Sequence, residues 1–268
     1  MSFTTETPRG IRIGTSSKDS PRWYEVNSER VPSVTTILSS FKSLPPAWGS
    51  KVTREGVIDI ATRYGWIEDG LPPDFSEKKL AEWLKREGHT TDAVGKRGRD
   101  RGSATHDILG YLLQGHPTPP VESQPENVRP YIEAITKWHV ATQPELIELE
   151  FYVGSPEYLY AGRADAIVKI DGTSYLIDLK TGAKLYPEVS LQLAAYHYAA
   201  YQSGYPQIDK RMAILAKEDG TYETRECGAT FEEFVPLIQA YHVLRKGERL
   251  FDIQQPTLEV VEWVQDIV

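Results

Sequence analysis

Cysteine is nearly absent: the chain of 268 residues holds one, Cys227, together with only two methionines. A single thiol excludes a disulfide framework within the chain, fits a reducing cytosol and cannot build a four-cysteine iron–sulfur cluster, so no Fe–S cofactor is expected. Cys227 itself reads as a small buried residue rather than a reactive thiol. No apolar run approaches the roughly 18 residues that a membrane span needs, and the opening MSFTTETPRG lacks the basic start and apolar block of a signal peptide. A cytoplasmic protein without a membrane partner is expected. Internal repeats and low-complexity tracts are also missing. Positive charge is in deficit: 30 Lys+Arg against 38 Asp+Glu give a formal charge of -8, which argues against a protein that coats nucleic acid non-specifically. The deficit is uneven, because residues 1–110 hold 17 Lys+Arg against 15 Asp+Glu and the remainder carries -10. A nucleic-acid groove would therefore draw on the N-terminal part.

What is present is ordinary globular material, 40% hydrophobic and 25% charged, enough for one large domain or a core with an added lobe. Its most informative stretch is AGRADAIVKIDGTSYLIDLKTGAKLYPEVSLQLAAYHYAAY, from Ala161 to Tyr201. Two runs rich in Ile, Val, Leu and Tyr flank Asp171-Gly172, a strong hairpin-turn signal. A two-residue loop there sets Asp165 opposite Asp178, where like charges about 5 Å apart repel unless something positive lies between them. A divalent cation is the obvious candidate. Period-2 alternation puts the Lys180 ammonium on the same face as both carboxylates. A helix opened by Pro187 and Glu188 follows, with Gln192 and Tyr196 on one face at i and i+4. The alternative is a half-exposed hairpin in which Lys180 merely neutralises one aspartate. That leaves an excess negative charge on a half-buried face and gives Gln192 no reason to be polar among Leu and Ala.

Upstream, Ile11 to Val26 alternates weakly and passes through Asn27-Ser28 into V-P-S-V-T-T-I-L, read as a small hairpin and a short helix that Ser33 can cap. Helical spacing recurs from Pro46 to Trp66 in Trp48, Val52, Val57, Ile60, Ala61 and Tyr64, interrupted by Gly49 and Gly56. After the break EDGLPPDF comes an amphipathic helix capped by Ser76 and closed by Gly88. Lys96, Arg97, Arg99 and Arg101 then lead into an apolar-periodic segment with Ala104, Ile108, Leu109, Leu112 and Leu113. This places His106 on the first or second turn of a helix, with Asp107 pointing elsewhere. The four cations are either a solvated helix start or phosphate contacts.

Farther on, Glu126 to Val140 reads as a helix with Tyr131, Ile135 and Trp138 inward. Strands are expected at 146–153, 160–170, 173–180, 208–217 and 221–226. In the first of them Glu148 and Glu150 share a face with Tyr152. Thr230 is a cap for a helix from Phe231 to Leu250, and in the terminal stretch Trp263 and Val264 could dock on the body or on a partner.

Three motifs, G-R-A-D, I-D-L-K-T-G and Q-L-A-A-Y, follow in order between Gly162 and Tyr196, and together they resemble the signatures of the RecB-type branch of the PD-(D/E)XK nucleases. R-G-S-A-T-H resembles that branch's R-G-T-x-x-H, and V-P-S-V-T-T-I-L the opening of phage-encoded and mitochondrial genome-maintenance exonucleases. The chain is also similar to CRISPR-associated exonucleases, whose four-cysteine cluster it cannot carry. The resemblance covers most of residues 31–201.

It implies an α/β fold: a restriction-endonuclease-like core with a central mixed sheet flanked by helices, and a helical N-terminal lobe. Residues 1–90 would form the hairpin and lobe, 91–250 the RecB-type core and 251–268 a tail. It further implies one or two Mg²⁺ or Mn²⁺ ions held by His106, Asp165, Asp178 and the Leu179 carbonyl, with Glu150 a candidate accessory ligand or water-orienting group. Oxygen-rich ligands suit such hard cations, and zinc would match less well. Asp165, Asp178, Lys180, Gln192 and Tyr196 would carry the chemistry. A bound cation would lower the Lys180 pKa, and the lysine would orient water or stabilise developing charge. Gln192 and Tyr196 would support the scissile region or Lys180, and Lys96, Arg97, Arg99, Arg101 and Arg163 would contact DNA. The activity implied is that of a metal-dependent DNA exonuclease on single strands or ends, in phage replication, recombination or repair, with recombination or replication proteins as candidate partners. A structure-specific endonuclease and a non-catalytic DNA-end-binding subunit are the alternatives.

Overall fold

Two sheets organise the chain in the computed structural model, which describes residues 3–17, 23–41, 47–72 and 75–245. The positions of Pro46, Trp263, Val264 and Leu250 and the side chain of Trp48 lie outside the described residues. The N-terminal sheet is antiparallel, in the order β1 (Phe3–Glu6), β2 (Arg12–Thr15), β3 (Tyr24–Val26), β4 (Glu29–Val31). The sequence predicted only a small hairpin here. That hairpin is β3–β4, closed by Asn27 and Ser28 at φ 50° and 71°, the left-handed pair that suits a two-residue turn. Ile13, Tyr24, Val26 and Val31 bury the inner face against Tyr152 and Ala161 of the second sheet. At this junction Ala161 N–H donates to the Pro32 carbonyl at 3.1 Å, one residue before Gly162.

Ser33 then caps α1 (Val34–Ser40), its hydroxyl accepting from Thr36 N–H at 2.9 Å. A lobe of α2 (Ala47–Arg63), α3 (Trp66–Asp69) and α4 (Glu77–Arg86) follows, with Ser76 capping α4. Gly56, which breaks the apolar pattern of α2, lies where a Cβ would come within 2.5 Å of His89 Cβ and 2.7 Å of Leu84 Cδ2. The helices meet at that point because the side chain is missing.

The next helix departs from expectation. α5 runs from Thr91 to Leu113, opened by Thr90, whose hydroxyl accepts from Ala93 N–H. The basic residues 96–101 are therefore on the helix, and His106 sits four turns in rather than at its start. Gly95 and Gly98 obscure the period in the sequence but do not break the helix. α6 (Arg129–Thr142) lies alongside α5.

The central sheet takes its strands in sequence order: β5 (Glu145–Ser155), β6 (Tyr160–Ile170), β7 (Thr173–Thr181), β8 (Lys210–Ala216) and β9 (Tyr222–Glu226). It is mixed, because β7 and β8 are parallel and joined by the crossover helix α7 (Glu188–Ser203), while the other neighbours are antiparallel. The β6–β7 register pairs Ala166 with Ile177 and Ile170 with Thr173, as a two-residue Asp171-Gly172 loop requires. Asp171 and Gly172 take φ 49° and 82°.

On one face α1, α7 and α8 (Phe231–Arg245) bury Ile167, Leu176, Leu193 and Phe234. On the other, α5 and α6 bury Leu109, Ile135, Trp138, Ile177 and Leu179. Each such side chain contributes about 1.5–3 kcal/mol through burial. The alternation expected along β5 fails. A bulge follows Leu146 and Glu150 takes φ 48°, so Leu149 packs with the α5 side and Phe151 with the α7 side. Burial and then the Glu148 charge raise the Tyr205 pKa, whereas Glu150 stands exposed midway along the edge strand β5.

Candidate active site

Asp165 and Asp178 are brought together, but not as a ladder pair. The β6–β7 ladder stops at Ala166 and Ile177, and beyond it the Asp165 carboxylate accepts the Leu179 N–H at 2.8 Å. A side chain thus takes the amide that a strand carbonyl would otherwise have taken. From α5, His106 brings Nε2 to 3.1 Å from the Leu179 carbonyl oxygen and Nδ1 to 3.5 Å from Asp165 Oδ2. One imidazole, one carboxylate and both ends of the Leu179 residue therefore converge.

Beside them Asp178 is 1% exposed. Burial pushes its carboxyl pKa up against the pull of Lys180, and the neighbouring Asp165 charge pushes the same way. Gln192 donates from Nε2 to Asp178 Oδ1 at 2.8 Å, so it holds the aspartate rather than Lys180. Lys180 Nζ lies 2.5 Å from Asp178 Oδ2. That ion pair is the contact that meets Oδ2, which is otherwise buried. Burial works against the Lys180 ammonium, but the charges of Asp178 and Asp165 outweigh it and its pKa is raised. The downward shift expected from the sequence belongs to a bound cation; with carboxylates alone around it, the lysine moves the other way.

One turn after Gln192 on α7, Tyr196 is buried, and burial raises its phenol pKa well above the ordinary value. Its ring lies over Gly162, where a Cβ would stand 2.5 Å from Tyr196 Cε1. The glycine of G-R-A-D and the tyrosine of Q-L-A-A-Y therefore form one packing unit.

The cleft over these groups has a volume of about 700 Å³, and Arg99, Asp107, Glu150 and Arg163 line it with the residues above. Asp107, expected to point away, lines it beside His106. Tyr24, Thr35 and Ser103 also line it and carry no chemical signal in the sequence. The cations called for DNA divide. Lys96 pairs with Asp100 at 2.6 Å, Arg97 donates to the Gly88 carbonyl, and Arg101 donates to Thr181 while lying over the Tyr131 ring. Arg101 thus ties α5 to β7. Arg99 and Arg163 face the cleft, Arg163 with Glu150 at 3.6 Å.

The donors suit a hard divalent cation: two carboxylates, an imidazole and a backbone carbonyl, with the buried Asp178 Oδ2 held by the Lys180 ammonium alone. They are not a closed cage as they stand. Among the described residues no three His, Cys, Asp or Glu side chains are grouped tightly enough to hold a metal ion. Gln192 and Lys180 occupy the two oxygens of Asp178, which accounts for the missing third ligand.

A sequence profile of the PD-(D/E)XK nuclease superfamily matches residues 113–259, more than half of the chain. The chain belongs to that superfamily. In this nuclease the matched region holds both aspartates, Lys180, Gln192 and Tyr196, while His106 precedes it. Among solved structures the nuclease is similar to an alkaline exonuclease (LHK-Exo) from Laribacter hongkongensis, at 13% identity over 56% of this chain and 82% of that one, with a TM-score of 0.34. It is also similar to SSO0001, at 16% identity over 79% and 84% of the two chains, with a TM-score of 0.32. No curated protein sequence gives a match. Among the described residues no helix is long and apolar enough to cross a membrane.

Proposed function

We propose that this nuclease is a Mg²⁺- or Mn²⁺-dependent DNA exonuclease that hydrolyses phosphodiester bonds on single strands or at DNA ends. The observation that carries the reading is Lys180 at 2.5 Å from the buried Asp178 carboxylate, beside Asp165 and His106, in one open cleft. A buried ion pair is weak support for stability, because desolvation offsets much of the attraction. Its place at a polar cleft favours chemistry instead.

Asp165, Asp178, His106 and the Leu179 carbonyl would hold the cation. When bound, the cation would polarise a phosphoryl oxygen and make an attacking water more acidic. Lys180, now paired with Asp178 Oδ2, would offset the negative charge that develops on the phosphate or orient water. Gln192 keeps Asp178 in position, and Tyr196 keeps Gln192 and the Gly162 strand in register. Arg99 and Arg163 would meet the DNA backbone. Replication, recombination or repair in an infected cytoplasm would suit this activity, with recombination or replication proteins as partners.

The test is incubation of purified protein with end-labelled linear and with closed circular single-stranded DNA, in Mg²⁺, in Mn²⁺ and in chelator. Loss of label from linear DNA in metal only, with circles left intact, is expected. Cleavage of circles at a similar rate would make the protein an endonuclease, and cleavage in chelator would overturn the metal requirement.

A further inference from the structure

The catalytic cleft does not end at Tyr24, Ser33 and Thr35. The same three residues line a second groove of about 480 Å³, within the range of small-ligand sites. Its other walls come from both ends of the described chain. Trp23 and Arg30 project from the N-terminal sheet, and Tyr241, His242 and Arg245 from the last turns of α8. Arg30 lies over the Trp23 ring at 5.4 Å, and Arg245 lies over the Tyr241 ring at 5.6 Å while donating to its hydroxyl at 2.9 Å. The groove thus repeats one device on two sides: an exposed guanidinium beside an aromatic ring.

Among the described residues that line the groove there is no Asp or Glu, and the charged ones are Arg30 and Arg245. Arg30 and Arg245 are both exposed, so neither is needed for the core. Cations beside aromatic rings, with Thr35 and Thr36 lining the same groove, suit a polyanion whose units also carry π-faces.

We propose that this groove is a strand-holding subsite, in which Arg30 and Arg245 contact phosphates and Trp23 stacks a base of single-stranded DNA that continues past the scissile phosphate. The proposal rests on the reading of the main cleft as the DNA-cleaving site, and it supplies what that reading lacks, a path for the rest of the strand. The path runs over Thr35 at the start of α1 and leaves between the β3–β4 hairpin and the end of α8.

The experiment measures binding of labelled single strands of about three and about ten nucleotides by fluorescence anisotropy in chelator, for the full chain and for Arg30→Ala/Arg245→Ala and Trp23→Ala. For the longer strand the double variant should bind about tenfold more weakly, and its slope of log affinity against log salt should fall by about 1.4, since each single-strand phosphate contact is worth about 0.7. Trp23→Ala should also cost about tenfold, the scale of one lost base stack. Binding of the short strand should change less than twofold.

Unchanged affinity and salt slope for the longer strand would overturn the subsite, as would equal losses for short and long strands. A fall in melting temperature of several degrees in both variants would also overturn it, because the groove would then be filled by the protein itself. A wild-type chain that binds the longer strand through these residues but never cleaves DNA would leave the subsite standing and refute the exonuclease reading. Cleavage with binding untouched by the variants would do the reverse.

Discussion

Replacing Gly162 with alanine adds a single methyl group, and its effect can be worked from the structure. Alanine normally gains about 0.5–1 kcal/mol over glycine in a strand, because less backbone entropy is lost. Here the new Cβ would stand 2.5 Å from Tyr196 Cε1 and 3.3 Å from Cζ and the hydroxyl oxygen, and the ring is only 4% exposed. Overpacking a buried site costs about 1–3 kcal/mol, which leaves a net loss of up to about 2.5 kcal/mol and about 1.2 kcal/mol at the centre of the two ranges. At about 2–4 °C per kcal/mol for a chain of this size, calorimetry should show a melting temperature roughly 2–5 °C lower. Cleavage should fall at least about tenfold as the ring pushes α7, and Gln192 with it, away from Asp178. The coupling is the sharper readout. In a Tyr196→Ala background the same Gly162→Ala change should cost nothing or stabilise, giving an interaction energy of about 1 kcal/mol or more in a double-mutant cycle. Additive effects of the two changes, or a single mutant with wild-type melting and activity, would show that the two motifs do not form one packing unit.

Asp178→Asn should abolish cleavage while the metal-free melting temperature holds or rises, because the amide escapes the burial that already pushes the Asp178 pKa up; a drop of several degrees would make the residue structural. Arg101→Ala should lower stability by about 1 kcal/mol, since it removes donors to Thr181 and packing on Tyr131, and it should leave the salt slope of DNA binding unchanged. Arg99→Ala should do the opposite, reducing that slope by about 0.7 with no change in melting, as filter binding at several salt concentrations would show. A reduced slope in Arg101→Ala would return that residue to the DNA interface.

How much was legible depended on where the partners lie in sequence. The β6–β7 hairpin carries its own register in Asp171-Gly172, so the placing of Asp165, Asp178 and Lys180 near one another follows from adjacent residues. Local caps were equally legible: Ser33 and Ser76 each accept from the amide three residues on. What escaped was set at a distance. Arg101 is recruited by Thr181, 80 positions away, and nothing in a basic run distinguishes it from Arg99, which faces the cleft. The first two strands of the N-terminal sheet are short, and their buried face is covered by Tyr152 and Ala161, which no local pattern announces. On β5 the bulge after Leu146 and the left-handed turn of the backbone at Glu150 reset the alternation from which Glu148 and Glu150 had been given a common face. Asp107 lines the cleft beside His106, its neighbour on α5, which helical period alone does not announce.

The central claim is that Lys180 is present for chemistry and not to neutralise Asp178. Titrating the Lys180→Ala variant with Mn²⁺ in a calorimeter, beside a single-strand cleavage assay on the same sample, tests it most directly. Removing the ammonium 2.5 Å from Asp178 Oδ2 frees that oxygen. Mn²⁺ binding should therefore be retained or tightened, while DNA hydrolysis falls at least ~10²-fold. Cleavage at near the wild-type rate, with Mn²⁺ bound, would contradict the account.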